Sequence, residues 1–435
     1  MRVPFSKTTL PNGLDVIVHE DHRLPLAAVS VWYHVGSKDE TPGRTGLAHL
    51  FEHLMFEGSA HQPRSFFEPL QEAGGSLNGS TNPDRTNYWE IVPKGALERA
   101  LWMEADRMGY MLPALSDERF ETQRGVVLNE RRQNYENRAY GLAPFLIMQT
   151  MLPADHPYHW PTIGFVSDLT SVTADDARAF LTRFYHPANA SLVVAGDVET
   201  ASAVRLVERL FGAIPPGPPP AAVAAPPVPA NPVRMVFEDR VELPRLYLAW
   251  PSAPLYTADD AALDLAADLL ANGKTSRLYR QLTHDERIAS ELGGGQTSRE
   301  LGGTFQIVAS AAPGRTLDEC YAAIVRELLE LIETGPDAAE LERGRAQAEA
   351  SFIYRTESLG GFGGRADQLN AYNVLLGNPG AFDTDLARYL SATRESVRDA
   401  AGRWLDPARA VVLSIVPNGR PELALTGSMP APGVS

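Results

Sequence analysis

The segment Gly46-Leu47-Ala48-His49-Leu50-Phe51-Glu52-His53-Leu54-Met55-Phe56 governs how the rest of the 435-residue chain is read. Leu47, Leu50, Phe51, Leu54 and Met55 recur at helical spacing and Gly58 follows as a stop, so the pattern predicts a helix over 44–57. His49 and His53 stand four residues apart and share a face, with Glu52 beside them. Two imidazoles and a carboxylate on an otherwise apolar helix are costly to bury unless they are paired or hold a metal. Imidazole nitrogen suits zinc, and two ligands one helical turn apart fit a tetrahedral site. The rival reading, a pair of ordinary histidines, leaves that cost unexplained.

Outward from this segment the chain reads as a duplication. Pro215 to Pro232 holds nine prolines in eighteen residues, an extended stretch that can be neither helix nor central strand. It divides the chain into 1–214 and 233–435, with 215–232 as linker. Ser171-Val172-Thr173 opens a helical stretch that stops at His186-Pro187, followed by the apolar run Ala190–Ala195 and Gly196-Asp197. Ser391-Ala392-Thr393 opens a stretch that stops at Asp406-Pro407, followed by Ala410–Val416. The same cap, helix, proline stop and strand recur in one order. Strands are expected at 14–19, 27–35, 77–81, 246–250 and 304–309. Helices are expected at 95–110, 117–137, 173–184, 261–271, 317–333 and 338–355. The expected class is α+β: two homologous domains, each a largely antiparallel sheet packed with helices. Gly293-Gly294-Gly295 reads as a strand connection, Gly360–Gly364 as a hinge, and Thr426–Ser435 as a frayed tail. His156, His159 and His186 lie near prolines and are expected at the surface, while Trp89 and Trp160 are expected to pack.

Composition narrows the function. Thirty-nine Lys and Arg against 54 Asp and Glu give a net charge of −15, which argues against nucleic acid and against an anionic membrane surface as partners. One cysteine, Cys320, excludes an internal disulfide and a Cys-rich zinc site. No apolar run approaches the roughly 18 residues of a membrane span, and the first residues lack the apolar core of a signal peptide. The expected location is cytoplasmic, or periplasmic if a leader has been removed.

His-x-x-Glu-His is the inverse of the commoner His-Glu-x-x-His zinc motif. With it the chain resembles the pitrilysin/insulinase family of zinc peptidases, in the branch of bacterial processing-type and mitochondrial processing peptidases. The resemblance extends over most of residues 5–420. Thr9–Leu14, Gly36-Ser37, Gly74–Thr81, Ile163-Gly164, Tyr185–Ala190 and Val194–Asp197 follow in the family's order. It implies a zinc-dependent endopeptidase with one zinc per chain, acting on unstructured peptides. Zinc in a hydrolase takes three protein ligands and leaves a position for water. The resemblance supplies the third ligand as Glu130 of Val126-Val127-Leu128-Asn129-Glu130, expected to point inward with the two valines. An outer acid frequent in the family is Gln123 here. Glu52 is implied as the general base, and Asn78, Gly79, Ser80 and Thr81 as an edge strand to which the peptide substrate adds. Gly79 stands where the family has alanine.

The second half has no counterpart of His49 and His53. After Ser276-Arg277-Leu278-Tyr279-Arg280-Gln281-Leu282, the family's substrate-contacting Arg and Tyr correspond to Thr283 and Ser290. The resemblance therefore implies the metal-bearing subunit of a heterodimer, whose homologous partner carries the Arg/Tyr pair. The alternative is a non-catalytic assembly or peptide-binding subunit derived from a peptidase.

Overall fold

In the computed structural model, residues 3–218 and 221–433 are described. Pro219 and Pro220 of the expected linker, and Val434 and Ser435 of the expected tail, lie outside them. The described parts of 215–232 contain neither helix nor strand, as nine prolines dictate.

Two six-stranded sheets organise the chain. The first contains β1 (Ser6–Thr9), β2 (Asp15–Glu20), β3 (Leu26–Tyr33), β4 (Ser76–Thr81), β5 (Thr86–Pro93) and β6 (Ala190–Gly196), in the order β1-β2-β6-β3-β5-β4. The second contains β7 (Val233–Asp239), β8 (Arg245–Ser252), β9 (Ala289–Thr297), β10 (Gly303–Ala311), β11 (Val411–Pro417) and β12 (Met429–Pro430), in the order β12-β7-β11-β8-β10-β9. Strands β2 to β6 correspond one for one to β7 to β11. The parallel pair β2/β6 recurs as β7/β11, and the following pairs are antiparallel in both sheets. Shared strand order with shared sense is the structural form of the duplication.

Each half of the sequence holds one sheet, but the compact units exchange helical segments. One unit consists of Met1–Glu130, Trp160–Val223 and Ser351–Thr384; the other of Arg131–His159, Ala224–Ala350 and Asp385–Ser435. In the second unit, the Ala143–Met151 helix buries Ala143, Leu146, Ile147 and Met151 against Tyr247, Ala249, Leu413 and Ile415 of its sheet. In the first unit, the Arg365–Leu376 helix lies on β2, β3 and β6 through polar groups. Asp367 accepts from Trp32 Nε1 at 2.7 Å and Asn87 Nδ2 at 2.9 Å. Asn370 donates to the Ser30 carbonyl at 2.9 Å, and Asn373 donates to Ser191 Oγ and Asp15 Oδ2, both at 2.9 Å. Buried polar side chains satisfied in this way fix one seating of a helix on a sheet.

Several expectations are corrected. Gly293, Gly294 and Gly295 do not connect strands; they lie within β9 and pair with Val308, Ile307 and Gln306 of β10. A Cβ on Gly294 would stand 2.7 Å from Ala271 Cβ, so the glycine lets the neighbouring helix approach. The helix expected over 117–137 stops at Arg131, and Arg132–Glu136 widens into a π-turn. The tail is tied down: Met429–Pro430 pairs with β7, and Ala431 N–H donates to the Val236 carbonyl at 2.8 Å. His156 and His186 are buried, because Tyr158 N–H donates to the first ring and the second meets the Arg183 carbonyl. Gly360–Gly364 forms a turn in which Gly363 N–H donates to Asp367 at 2.7 Å, leading into the Arg365–Leu376 helix.

Candidate active site

The predicted motif helix runs Leu47–Phe56. Leu47, Ala48, Leu50, Phe51, Leu54 and Met55 are buried, so the apolar stripe anchors it and the polar face is set by subtraction. Its start is built by two residues outside the motif. Gly46 adopts φ 94°, where a Cβ would meet Leu169 at 2.7 Å and the Ile163 carbonyl at 2.9 Å. The buried carboxylate of Glu40 accepts from Gly46 N–H at 2.9 Å and Ala48 N–H at 2.7 Å. It thereby satisfies helix-start donors that no backbone carbonyl reaches. Burial pushes the Glu40 carboxyl well above the usual carboxylate range, against the pull of these two donors. Removing the cap by Glu40→Ala is expected to cost about 0.5–2 kcal/mol, read as a lower urea midpoint against wild type.

Three expected residues converge. His53 Nε2 lies 3.1 Å and His49 Nε2 3.7 Å from Glu130 Oε2, and the candidate ligand atoms all lie within 4.8 Å of one another. The imidazole planes are nearly perpendicular at 83°, with centroids 4.8 Å apart. Four-coordinate ligands about 2.1 Å from zinc stand roughly 3.4 Å apart, so these donors fit that ion. Burial, with the neighbouring His53 second, pushes the His49 imidazole well below its ordinary value. That shift favours the neutral ring, which carries a lone pair to offer. Its Nδ1 is buried with no hydrogen-bond partner among the described residues, so the ring's polar engagement is through Nε2.

Glu130 reaches the site from the Asp117–Arg131 helix. The inward face is not the one expected from the two valines: Val127 is fully buried, but Val126 is 41% exposed. Gln123, Val127 and Glu130, spaced four and three apart, make the inward stripe, and Gln123 is buried.

Glu52 faces β4. Thr81 Oγ1 donates to Glu52 Oε2 at 2.7 Å, and burial raises the Glu52 carboxyl above its ordinary range, against that hydrogen bond. β4 lies at the edge of its sheet and, among the described residues, pairs only with β5. Asn78 is exposed and its Oδ1 accepts from Gly79 N–H at 2.8 Å, while Ser80 Oγ donates to Asn87 at 2.8 Å. A Cβ on Gly79 would lie 3.0 Å from Phe56 and Tyr88, which accounts for glycine where the family has alanine.

Two contributors escaped the sequence reading. Besides Glu40, Arg85 is half-buried beside β4: its guanidinium donates to the Ser80 carbonyl at 2.8 Å and stacks on Trp32 at 5.2 Å. Neither position belongs to a spaced motif; the one available signal is a charged residue a few positions from the helix start or the strand end.

The Thr283/Ser290 stretch is not one helix. Tyr279–Asp285 is a wide helical turn, and Ser290 lies on β9 with its hydroxyl 3.3 Å from the Ser310 carbonyl.

The chain is similar to known proteins. The profile of the insulinase family (peptidase family M16) matches residues 15–153, and that of the peptidase M16 inactive domain matches residues 171–348. A zinc protease, PqqE, of Helicobacter pylori is 30% identical over 80% of this chain and 80% of its own length. A probable mitochondrial-processing peptidase subunit beta of Arabidopsis thaliana is 26% identical over 80% of this chain and 66% of its own. The crystal structure of a protease from Helicobacter pylori superposes with a TM-score of 0.87 at 26% identity, covering 96% of this chain and all of that one.

Proposed function

This chain belongs to the insulinase family of peptidases, family M16, and from that premise we propose that it is a zinc-dependent endopeptidase acting on unstructured peptides. The observation that carries the reading is the convergence of His49, His53 and Glu130 from two separate helices, with Glu52 on the adjoining edge strand's side. His49, His53 and Glu130 would hold the ion. Bound there, zinc supplies Lewis acidity toward a peptide carbonyl and toward water. The remaining steps belong to the chain. The substrate adds to β4 as a further strand, its main chain meeting the free edge along Asn78, Gly79, Ser80 and Thr81. Thr81 fixes Glu52 Oε2, which leaves Oε1 to take the proton of the attacking water and return it to the leaving amine nitrogen. A carboxyl raised by burial is the stronger base for that transfer.

The second part of the proposal is a division of labour. Thr283 and Ser290 stand where the resemblance places the substrate-contacting Arg and Tyr, and a relative in the same family is named as a subunit of a processing peptidase. A homologous partner would supply those two side chains. The test is cleavage of an unstructured peptide of about 20–30 residues, long enough for strand addition, followed by mass spectrometry. The zinc-loaded chain alone is expected to cleave slowly, and a homologous Arg/Tyr-bearing chain to raise the rate. Full activity alone, unchanged by any such partner, would sink the division of labour and leave the peptidase. Zinc retention with no cleavage under either condition would favour the peptide-binding subunit.

A further inference from the structure

We propose that the second unit carries a binding site for a small organic anion, an apolar body bearing one carboxylate. A cavity of about 290 Å³ opens there, and every residue lining it belongs to that unit. Its size sits at the lower end of small-molecule sites.

Much of the wall presents apolar faces, because the polar atoms of its aromatic residues are already engaged. Trp250 Nε1 donates to the Asp406 carbonyl at 2.8 Å, Trp404 Nε1 donates to Asp259 at 2.9 Å, and the Tyr158 hydroxyl accepts from Leu301 N–H at 3.0 Å. Pro226 and Pro227 close part of the wall and have no N–H to offer. What remains for a ligand is the partly exposed Trp404 indole and the aliphatic surface of Val228, Leu301 and the prolines, over the buried Trp250 and Tyr158.

The charge lining this space has one sign. Arg299, Arg403 and Arg409 line it, and no Asp or Glu does among the described residues, in a chain whose net charge is −15. Arg403 is already held by Asp259, with Nε 3.0 Å from the carboxylate. Arg409 donates to the Arg403 carbonyl at 3.4 Å and makes no ion pair with a carboxylate among the described residues. A guanidinium beside an apolar slot selects a carboxylate, which it binds in a planar, two-pronged arrangement.

A buried hydroxyl points the same way. Ser252 is 3% exposed, lines the cavity, and its Oγ has no hydrogen-bond partner among the described residues. Buried hydroxyls are ordinarily bonded, so an unengaged one in the cavity wall is polar capacity that the protein itself leaves unused. Gly303 keeps that space: a Cβ there would come within 2.4 Å of Ser252 Oγ.

The inference is independent of the metal-site reading, since all these residues lie in the other unit. The carboxylate could be that of a free small acid or the C-terminus of a peptide. Calorimetric titration of the full chain with 3-phenylpropionate, N-acetylphenylalanine and N-acetylphenylalanine amide tests the shared chemistry. The two acids are expected to bind at least tenfold more tightly than the amide. Arg409→Gln and Arg299→Gln are each expected to weaken the acids tenfold or more and to leave the amide unchanged. Arg409 is exposed, so its variant keeps the fold. A tetrapeptide ending in phenylalanine, titrated into Glu52→Gln protein so that it is not consumed, separates the sources. Retained binding assigns a peptide C-terminus, and loss with the short acids still bound assigns a free acid. Failure of both acids to bind at millimolar concentration, equal binding of acid and amide, or acid binding unchanged in both arginine variants overturns the proposal.

Discussion

Glu52→Gln is expected to lower kcat for peptide hydrolysis by roughly a hundred- to ten-thousand-fold, with KM little changed and one zinc per chain retained. The substitution is nearly isosteric. The amide carbonyl still accepts the Thr81 hydroxyl that now meets Glu52 Oε2 at 2.7 Å, so the side chain keeps its place on the β4 side of the motif helix. What it loses is the ability to take a proton. The metal is expected to stay because Glu52 is outside the converging set of His49, His53 and Glu130. Glu130→Gln is the contrasting variant. It removes the anionic oxygen that lies 3.1 Å from His53 and 3.7 Å from His49, so metal content itself should fall. Mass-spectrometric turnover and metal analysis on the same preparations separate the two losses. Unimpaired hydrolysis by Glu52→Gln, or zinc lost together with activity, would refute the assignment of Glu52 as a base outside the metal.

Arg107→Ala is expected to destabilise the first unit by about 3–5 kcal/mol, the usual consequence of leaving buried charge uncompensated. Arg107 is fully buried in the Leu97–Tyr110 helix. Its Nε donates to Glu104 at 3.1 Å, Nη2 makes a second, close contact with the same carboxylate, and Nη2 lies 3.5 Å from Glu90 on β5. The guanidinium is also packed against Tyr88 at 3.9 Å, Phe66 at 4.6 Å and Phe56 at 5.6 Å from the ring centres. Two buried acids share one buried base. Burial, with Glu104 adding to it, pushes Glu90 well above the carboxylate range, against the pull of Arg107. Removing Arg107 leaves Glu104 without a counter-charge and opens a gap beneath Phe56, the last residue of the motif helix. Urea unfolding followed by tryptophan fluorescence measures the loss. Adding Glu90→Gln and Glu104→Gln to the Arg107 variant should recover much of it, because the penalty lies in the unpaired charge. An unchanged urea midpoint in Arg107→Ala would show that the trio contributes nothing net.

The sequence by itself determined what depends on spacing along the chain. The motif helix was legible because five apolar residues at helical intervals must face inward, which leaves His49, Glu52 and His53 on the remaining face. The duplication was legible because a cap, helix, proline stop and strand recur in order, and the two sheets repeat one strand order. Glu130 came from resemblance: 77 positions separate it from His53, and nothing local distinguishes it from other helix acids.

Only the tertiary structure decided what depends on long-range closure. The Arg365–Leu376 helix buries Asp367, Asn370 and Asn373 alongside Ala366, Leu369 and Tyr372, and the polar pairings that seat it on the first sheet are with residues hundreds of positions away, which periodicity does not reveal. Gly293–Gly295 has no side chains to signal a strand, and its place in β9 rests on backbone bonds to a partner. Glu40 and Arg85 act on the site through one helix start and one strand carbonyl, contacts that exist only after the chain has folded around them. Side-chain periodicity is written locally, whereas the pairing of buried polar groups is a property of the closed structure.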